Sequence, residues 1–290
     1  MRRDDDPRMT LTITCVVDNH ALPGSGLQHE HGLAFWIAGE AGAVLLDTGQ
    51  SGTALLHNLT ALGLDATTLK AIALSHAHYD HTGGLPALAT LLSPGLPLYA
   101  NADLLRERFS RREGVRRAVG MPVDEPWLRE RFTLRLDDRP QQILPGIWTT
   151  GAITARPHPG GYAAHHEIRA GTGYAPDPYR DDLSLVLESD RGLVVVCGCC
   201  HAGLLNTLEH VQRLFTSPIV AVIGGTHLAA ADADALAHIA RTLHGWGTLH
   251  RIYLNHCSGE NAYHILRQVM GDGSVHPCPA GTIIDMEVEL

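Results

Sequence analysis

Residues 71–85 read AIALSHAHYDHTGGL. An apolar run that suits a buried strand leads into His76-Ala-His78-Tyr-Asp80-His81, and Thr82-Gly83-Gly84 then opens a helix-compatible stretch. In an extended chain residues two apart face the same way, so His76 and His78 are placed to grip one ion. Asp80 and His81 point from the turn toward a second. Imidazole and carboxylate donors suit zinc first, and iron or manganese as well, whereas an alkaline-earth ion wants mostly oxygen. A lone histidine here would read as a helix cap. Three histidines and an aspartate within six positions read as the centre of a site for two transition-metal ions, with Asp80 as the candidate catalytic carboxylate.

Working outward, MTLTITCVVDN (9–19), LAFWIAG (33–39) and AVLLDTG (43–49) are β-rich, and TALLHNLTALG (53–63) is helix-like. A second series follows: SLVLES (184–189), GLVVVCGCC (192–200), helix-like AGLLNTLEHVQRLF (202–215), PIVAVIGG (218–225), helix-like ADALAHIARTLHGWG (233–247) and RIYLNHCSG (251–259). The closing TIIDMEVEL (282–290) is expected to be a strand. Both halves repeat sheet-plus-helix layering, an α/β pattern. Residues 101–182 between them read as an irregular, cap-like insertion, and residues 1–290 as a single domain. The insertion holds an Arg-rich helical candidate, LLRERFSRREGVRRAV (104–119), and a Pro/Gly/His-rich loop (155–182). Arg–Glu spacing in the former suggests a solvated helix face. The sharper reading gives Arg112 and Arg116 a substrate phosphate or carboxylate to hold.

At 290 residues and 44% hydrophobic content the chain can bury a large core. No stretch approaches the roughly 18 apolar residues of a membrane span, and MRRDDDPRMT carries charge where a signal peptide would be apolar, so a cytoplasmic location is expected. Six cysteines, three of them within four positions, read as reduced thiols rather than a disulfide framework. The net charge of −9 argues against nucleic acid or an anionic membrane as partner. The expected partner is a small-molecule substrate, and the oligomeric state is not legible.

The 76–81 stretch resembles the H-x-H-x-D-H signature of the metallo-β-lactamase superfamily, and LLDTG, with Asp47, resembles its earlier Asp-bearing strand end. DNH (18–20), EHGLAFWI (from Glu30), DTGQS (from Asp47), GCCHAGLLNTLEH, VIGGTHL and NHCSGENAY together resemble the dihydropterin synthase-like branch. That branch is labelled after an archaeal enzyme acting on a 7,8-dihydropterin and an aminobenzene ribofuranosyl phosphate. The resemblance implies the metallo-β-lactamase fold, an αββα four-layer sandwich, with metals at the sheet edge.

His201 follows VVVCGCC and precedes a helix, a rigid position for a third ligand to the first ion. His158, His165 and His166 are the alternatives, since no clean copy of the superfamily's H-x-x-G-H-like stretch is present. His256, at the end of RIYLN, resembles the superfamily's last ligand, which completes the second site with Asp80 and His81. The usual bridging carboxylate is replaced at Gly198-Cys199. Either a thiolate takes its place or Cys199 packs as a small apolar residue. Cys200 and Cys257 read as packing residues. Asp47 resembles a residue that receives an N–H from a ligand histidine, and His227 is either a ligand, a substrate contact or a supporting donor. Asp18, Asn19 and His31 are candidate pocket residues, with turn capping as the alternative for Asp18 and Asn19.

A pair of such ions activates water without a Ser or Cys nucleophile, and no P-loop, G-x-S-x-G or dinucleotide fingerprint offers another chemistry. The expected function is a metal-dependent hydrolase of a small anionic ester, lactone or phosphodiester. The alternatives are a pterin-related transferase or synthase and a non-catalytic metal-bound sensor.

Overall fold

The computed structural model describes residues 11–289. The charged start, the first residues of the 9–19 run and Leu290 lie outside the described residues.

The first half comprises β1 (Thr12–Val17), β2 (Ala34–Gly39), β3 (Gly42–Leu46), α1 (Thr53–Ala61), β4 (Leu69–Ala73), the short helices α2 (Tyr79–Thr82) and α3 (Leu85–Ala89), and β5 (Leu96–Ala100). The middle contributes β6 (Arg108–Arg112), β7 (Val115–Ala118), α4 (Glu125–Arg131), β8 (Phe132–Leu136), β9 (Gln142–Leu144), β10 (Ile147–Thr149), β11 (His166–Ala170) and β12 (Gly173–Pro176). The second half follows with β13 (Ser184–Ser189), β14 (Gly192–Cys197), α5 (Leu204–Leu214), β15 (Ile219–Gly224), α6 (Ala233–Gly245), β16 (Arg251–Leu254), α7 (Glu260–Met270), β17 (Val275–Pro277) and β18 (Ile283–Asp285).

Two seven-stranded sheets form, in the orders β18-β1-β2-β3-β4-β5-β8 and β17-β16-β15-β14-β13-β10-β9. Three apolar layers separate them from each other and from the helices. Val44 and Leu46 of β3 meet Val194 and Val196 of β14 between the sheets. On the opposite faces, Ala43 and Leu45 pack under α1 and α3, and Leu193 and Val195 pack under α5 and α6. Period-two alternation thus sends neighbouring side chains into two different cores, and because both are dry the central strands read as continuous apolar runs. The result is the αββα sandwich.

The insertion departs from expectation. The Arg-rich segment is no helix: β6 and β7 form a hairpin with Arg112 paired to Val115, so only Glu113 and Gly114 make the turn. Both carry positive φ, 50° and 78°, the backbone of a two-residue turn that matches strand twist. This hairpin pairs with β11 and β12 in a third sheet, β12-β11-β6-β7. Strands β8, β9 and β10, also from the stretch read as irregular, extend the two large sheets. Of the closing stretch read as a strand, Ile283–Asp285 pairs with β1 and residues 286–288 form a turn. Among the described residues no helix is long and apolar enough to cross a membrane.

Candidate metal centre

Strands β3 and β4 run parallel, as do β14, β15 and β16, and this gathers their carboxyl ends at one edge of the sandwich. Asp47 follows β3, His76 follows β4, Cys199 and His201 follow β14, His227 follows β15 and His256 follows β16. Side chains far apart in sequence meet here because the sheets bring strand ends together.

His76, His78 and His201 each offer a ring nitrogen within 4.8 Å of the others'. His76 Nε2 stands 3.0 Å from His78 Nδ1. Two donors held at 2.0–2.1 Å by one tetrahedral zinc lie roughly 3.3 Å apart, so this spacing fits a shared ion. The supporting bonds set the tautomers. Ser75 Oγ donates to Asp47 Oδ2 at 2.7 Å and can therefore only accept from His76 Nδ1, at 2.9 Å, which leaves His76 Nε2 a bare lone pair. His201 Nδ1 donates to Gly161 O at 3.0 Å, and its Nε2 is buried with no hydrogen-bond partner. Burial, followed by the neighbouring imidazoles, holds the pKa values of His76 and His201 well below the ordinary range; burial does the same for His78. These rings are therefore neutral donors at neutral pH.

The second set surrounds Asp80. Its Oδ2 lies 3.2 Å from His31 Nε2, 3.4 Å from His256 Nε2 and 3.8 Å from His81 Nε2, and the last two nitrogens are 3.2 Å apart. His81 Nδ1 donates to Asp47 Oδ2 at 2.6 Å. Asn19 Nδ2 donates to the His256 carbonyl, so Asn19 Oδ1 is the acceptor for His256 Nδ1, at 3.0 Å. The Nε2 atoms of both rings thus face each other and a carboxylate oxygen, an arrangement that a cation, whether a proton or a metal ion, holds together. For His81 burial opposes the charge, and the Asp47 and Asp80 carboxylates outweigh it to raise the pKa. For Asp80 burial is likewise outweighed by the His81, His256 and His31 rings, which keep the carboxyl ionised.

Cys199 Sγ lies 3.2 Å from His81 Nε2 and within 4.8 Å of the donor atoms of both His76 and His81. It stands between the two sets. Gly198 before it must be glycine, because a Cβ there would fall 2.1 Å from Ser75 Oγ. The non-glycine residues Asp47, Tyr179, Cys200, His227 and His256 all adopt positive φ, between 48° and 59°. Left-handed backbone of this kind costs about 1–3 kcal/mol per residue and persists where surrounding structure enforces it.

A cleft of about 660 Å³ opens over these donors. His31, Asp80, His201, His227 and His256 line one side, and Arg112, Arg117 and His165 line another. Alternation along β7 turns Val115 and Arg117 to the cleft and Arg116 away from it. Arg116 Nε donates to Glu167 at 2.8 Å, and its guanidinium lies 3.5 Å over the Tyr174 ring. Arg116, expected to hold a substrate anion because its segment could cover the metal edge, therefore points away from the cleft, and its neighbour Arg117 lines it. Asp18 and Asn19 do not line the cleft either. Asp18 Oδ1 accepts the His256 backbone N–H at 2.7 Å, and Asn19 bonds the His256 ring and carbonyl, so both residues fix His256.

Of the loop histidines considered beside His201, His158 pairs with Glu209 at 2.6 Å, away from the donors. His165 and His166 line the cleft: His165 accepts from Arg112 at 2.9 Å, and His166 bonds the Tyr179 hydroxyl at 2.9 Å with its ring centroid 4.8 Å from that of His78. Cys200 packs in the apolar layer beneath α5, as expected, whereas Cys257 lines the cleft. The sequence reading overlooked several supports. Asp181 Oδ2 accepts the Ala77 N–H at 2.7 Å, between His76 and His78, and Asp182 Oδ2 accepts the Ala202 N–H at 2.9 Å, beside His201. Tyr179 stacks on His201 with centroids 4.1 Å apart. Only the consecutive acids after a long loop could have signalled the first two.

A sequence profile described as the Metallo-beta-lactamase superfamily matches residues 29–194. The 7,8-dihydropterin-6-methyl-4-(beta-D-ribofuranosyl)-aminobenzene-5'-phosphate synthase of Methanocaldococcus jannaschii is 27% identical over 269 residues, 87% of this chain and 89% of that protein. Among solved structures, Tm1679, described as a metal-dependent hydrolase of the beta-lactamase superfamily, has a TM-score of 0.79 at 26% identity, covering 94% of this chain and 98% of that one. Zn(2+)-bound PqqB from Methylobacterium extorquens, with a TM-score of 0.60 and 10% identity over 95% of this chain and all of that one, shares the fold alone. The profile covers more than half of the sequence and includes the strand-end histidines of the 76–81 turn, and the chain belongs to the metallo-beta-lactamase superfamily.

Proposed function

We propose that this chain is a metal-dependent hydrolase that holds two transition-metal ions, zinc first, and acts on a small anionic substrate. One observation carries the reading: His76, His78 and His201 bring ring nitrogens to one point, with His201 Nε2 buried and without a hydrogen-bond partner, and Asp80, His81 and His256 meet beside them. His76, His78 and His201 would hold the first ion. Asp80, His81 and His256 would hold the second, with Cys199 where a bridging carboxylate commonly sits. Ions bound there supply Lewis acidity at the scissile group and lower the pKa of water toward neutrality.

The chain's own residues do the rest. Asp80, ionised and facing the cleft, orients the attacking water, and His31, within 3.2 Å of it and half-exposed, takes the proton on to solvent. Arg112 and Arg117 face the cleft with charge that suits a phosphate or carboxylate at the far end of the substrate. A pterin-related synthase is the second reading, favoured by the 27% identity to the archaeal enzyme along most of both chains.

Protein purified without chelator is expected to retain transition metal, and His76→Ala with His78→Ala is expected to remove at least one ion together with turnover. A screen over esters, lactones, phosphodiesters and pterin phosphates separates the two enzymatic readings. Full metal retention in the double variant overturns the assignment of the site. Full loading with no turnover of any class favours a sensor.

A further inference from the structure

Beyond the two donor sets above, the cleft carries a third cluster made largely of sulfur. We propose that Cys199, Cys257 and His227 form a separate binding site for a soft d10 metal ion of the zinc and cadmium class. The donor atoms of the three residues lie within 4.8 Å of one another. His227 Nδ1 is buried with no hydrogen-bond partner, which is costly for an imidazole nitrogen unless a ligand takes it up. Cys257 Sγ accepts the His227 backbone N–H at 3.2 Å, a contact that aims the sulfur at the His227 ring and favours its anionic form.

The remaining thiols show what packing cysteines look like in this protein. Cys15 and Cys278 lie between the sheets, and Cys197 and Cys200 lie beneath the helices of the second sheet. Neither Cys199 nor Cys257 belongs to these apolar layers; both line the cleft. Their approach is built into the backbone. A Cβ at Gly225 would fall 2.2 Å from Gly198 O and 2.8 Å from Cys257 Sγ, and one at Gly161 would fall 2.7 Å from His227 Cβ. Bare glycines at these points let the ends of β14, β15 and β16 close around the three donors.

Two thiolates and an imidazole match the preference of d10 ions for sulfur and nitrogen, and solvent in the cleft completes a tetrahedral set. Each thiol releases its proton to buffer as the ion binds, so uptake is accompanied by proton release. Cys199 belongs to both neighbourhoods, since its sulfur also lies 3.2 Å from His81 Nε2. Occupancy of the sulfur site and of the Asp80 set is therefore coupled.

The test titrates the full-length, metal-stripped protein with cadmium alone and follows the ultraviolet thiolate-to-cadmium charge-transfer band, with bound cadmium quantified. The expected result is a band that carries two thiolates, reduced by half in Cys257→Ser and unchanged in Cys200→Ser. His227→Gln, which leaves both sulfurs, is expected to keep the band but weaken binding by more than about tenfold, the lower bound for losing even a residue that supports a ligand. If Cys257→Ser perturbs folding, the affinity of His227→Gln alone decides. A band that survives intact in Cys257→Ser and vanishes in Cys199→Ser overturns the proposal, because sulfur then serves only the Asp80 set; so does the absence of any band, or unchanged affinity in His227→Gln. Loss of hydrolytic turnover would sink the enzymatic reading and leave this band untouched.

Discussion

His76, His78 and His201 meet without a carboxylate among them, whereas His81 and His256 meet around Asp80. Behind the first set stand a hydroxyl, a backbone carbonyl and two buried aspartates that accept backbone N–H groups beside the histidines. Behind the second stand Asp47, on the His81 ring, and Asn19, on the His256 ring. The first set is consequently a neutral, rigid cage, and its support reaches into the cap: Arg108, with a side chain 1% exposed, binds Asp181 at 2.7 Å, Asp177 at 3.2 Å and Asp103 at 3.1 Å. The second set is anionic and opens to the cleft through His31. An ion held by the first would depend on how the loops are held, and one held by the second on the charge arranged around it.

Arg108→Leu tests the mechanical side of that contrast and carries the largest expected effect. It leaves buried carboxylates without their cation, which typically costs 3–5 kcal/mol, so the urea midpoint is expected to fall by about that equivalent. Asp181 also holds Ala77, so the first ion is expected to loosen more than the second; equal loosening of both would break the distinction.

The electrostatic side is tested by two variants compared with each other. Asp47→Asn is expected to weaken the second ion by about 10–100-fold. Its contact through Ser75 to His76 gives a smaller effect on the first ion. Asn19→Ala touches His256 alone and is expected to weaken only the second ion, toward the lower end of the same range. Competition with a chromophoric chelator reads both. A first ion as sensitive to Asn19→Ala as the second would merge the two sets into one.

The smallest effect concerns pH. Burial raises the Asp181 carboxyl from 3.8 to about 6, against the opposing influence of Arg108. A carboxyl raised on folding binds its proton more tightly in the native state, so its contribution to stability is full below the unfolded pKa and is lost as pH rises through about 6. In metal-free protein, the slope of stability against pH between about 4 and 6 is expected to be more negative in the wild type than in Asp181→Asn, with an integrated difference of at most a few kcal/mol. Identical slopes would show that Asp181 titrates as it does in the unfolded chain.

Much of the candidate site was legible because its donor residues follow a local rule. His76, His78, Asp80 and His81 occupy one turn, and His201 and His256 each end an apolar run, so strand-end placement alone marked them. The cap was misread because charged residues at helical intervals on two adjacent strands give the same letters as a solvated helix, and the Glu113-Gly114 turn that distinguishes them was passed over. The same error singled out Arg116, which points away from the cleft, and passed over Arg117, which lines it. Cys257 was taken for packing because nothing in a sequence tells whether a cysteine next to a ligand faces a core or a cleft.

The sequence by itself determined the layered α/β fold, through apolar runs whose period and length admit few arrangements, and the principal donors, through spacing within single turns. Only the tertiary structure decided which histidines lie within reach of one ion, that Asp18 and Asn19 bond to His256, and that Asp181 and Asp182 hold the backbone beside His76, His78 and His201. It also brought Cys199, Cys257 and His227 together from three strand ends. Those relations depend on the order of strands in two sheets and on the direction each side chain takes at a strand's end, and they join residues up to 238 positions apart, beyond the reach of any local pattern.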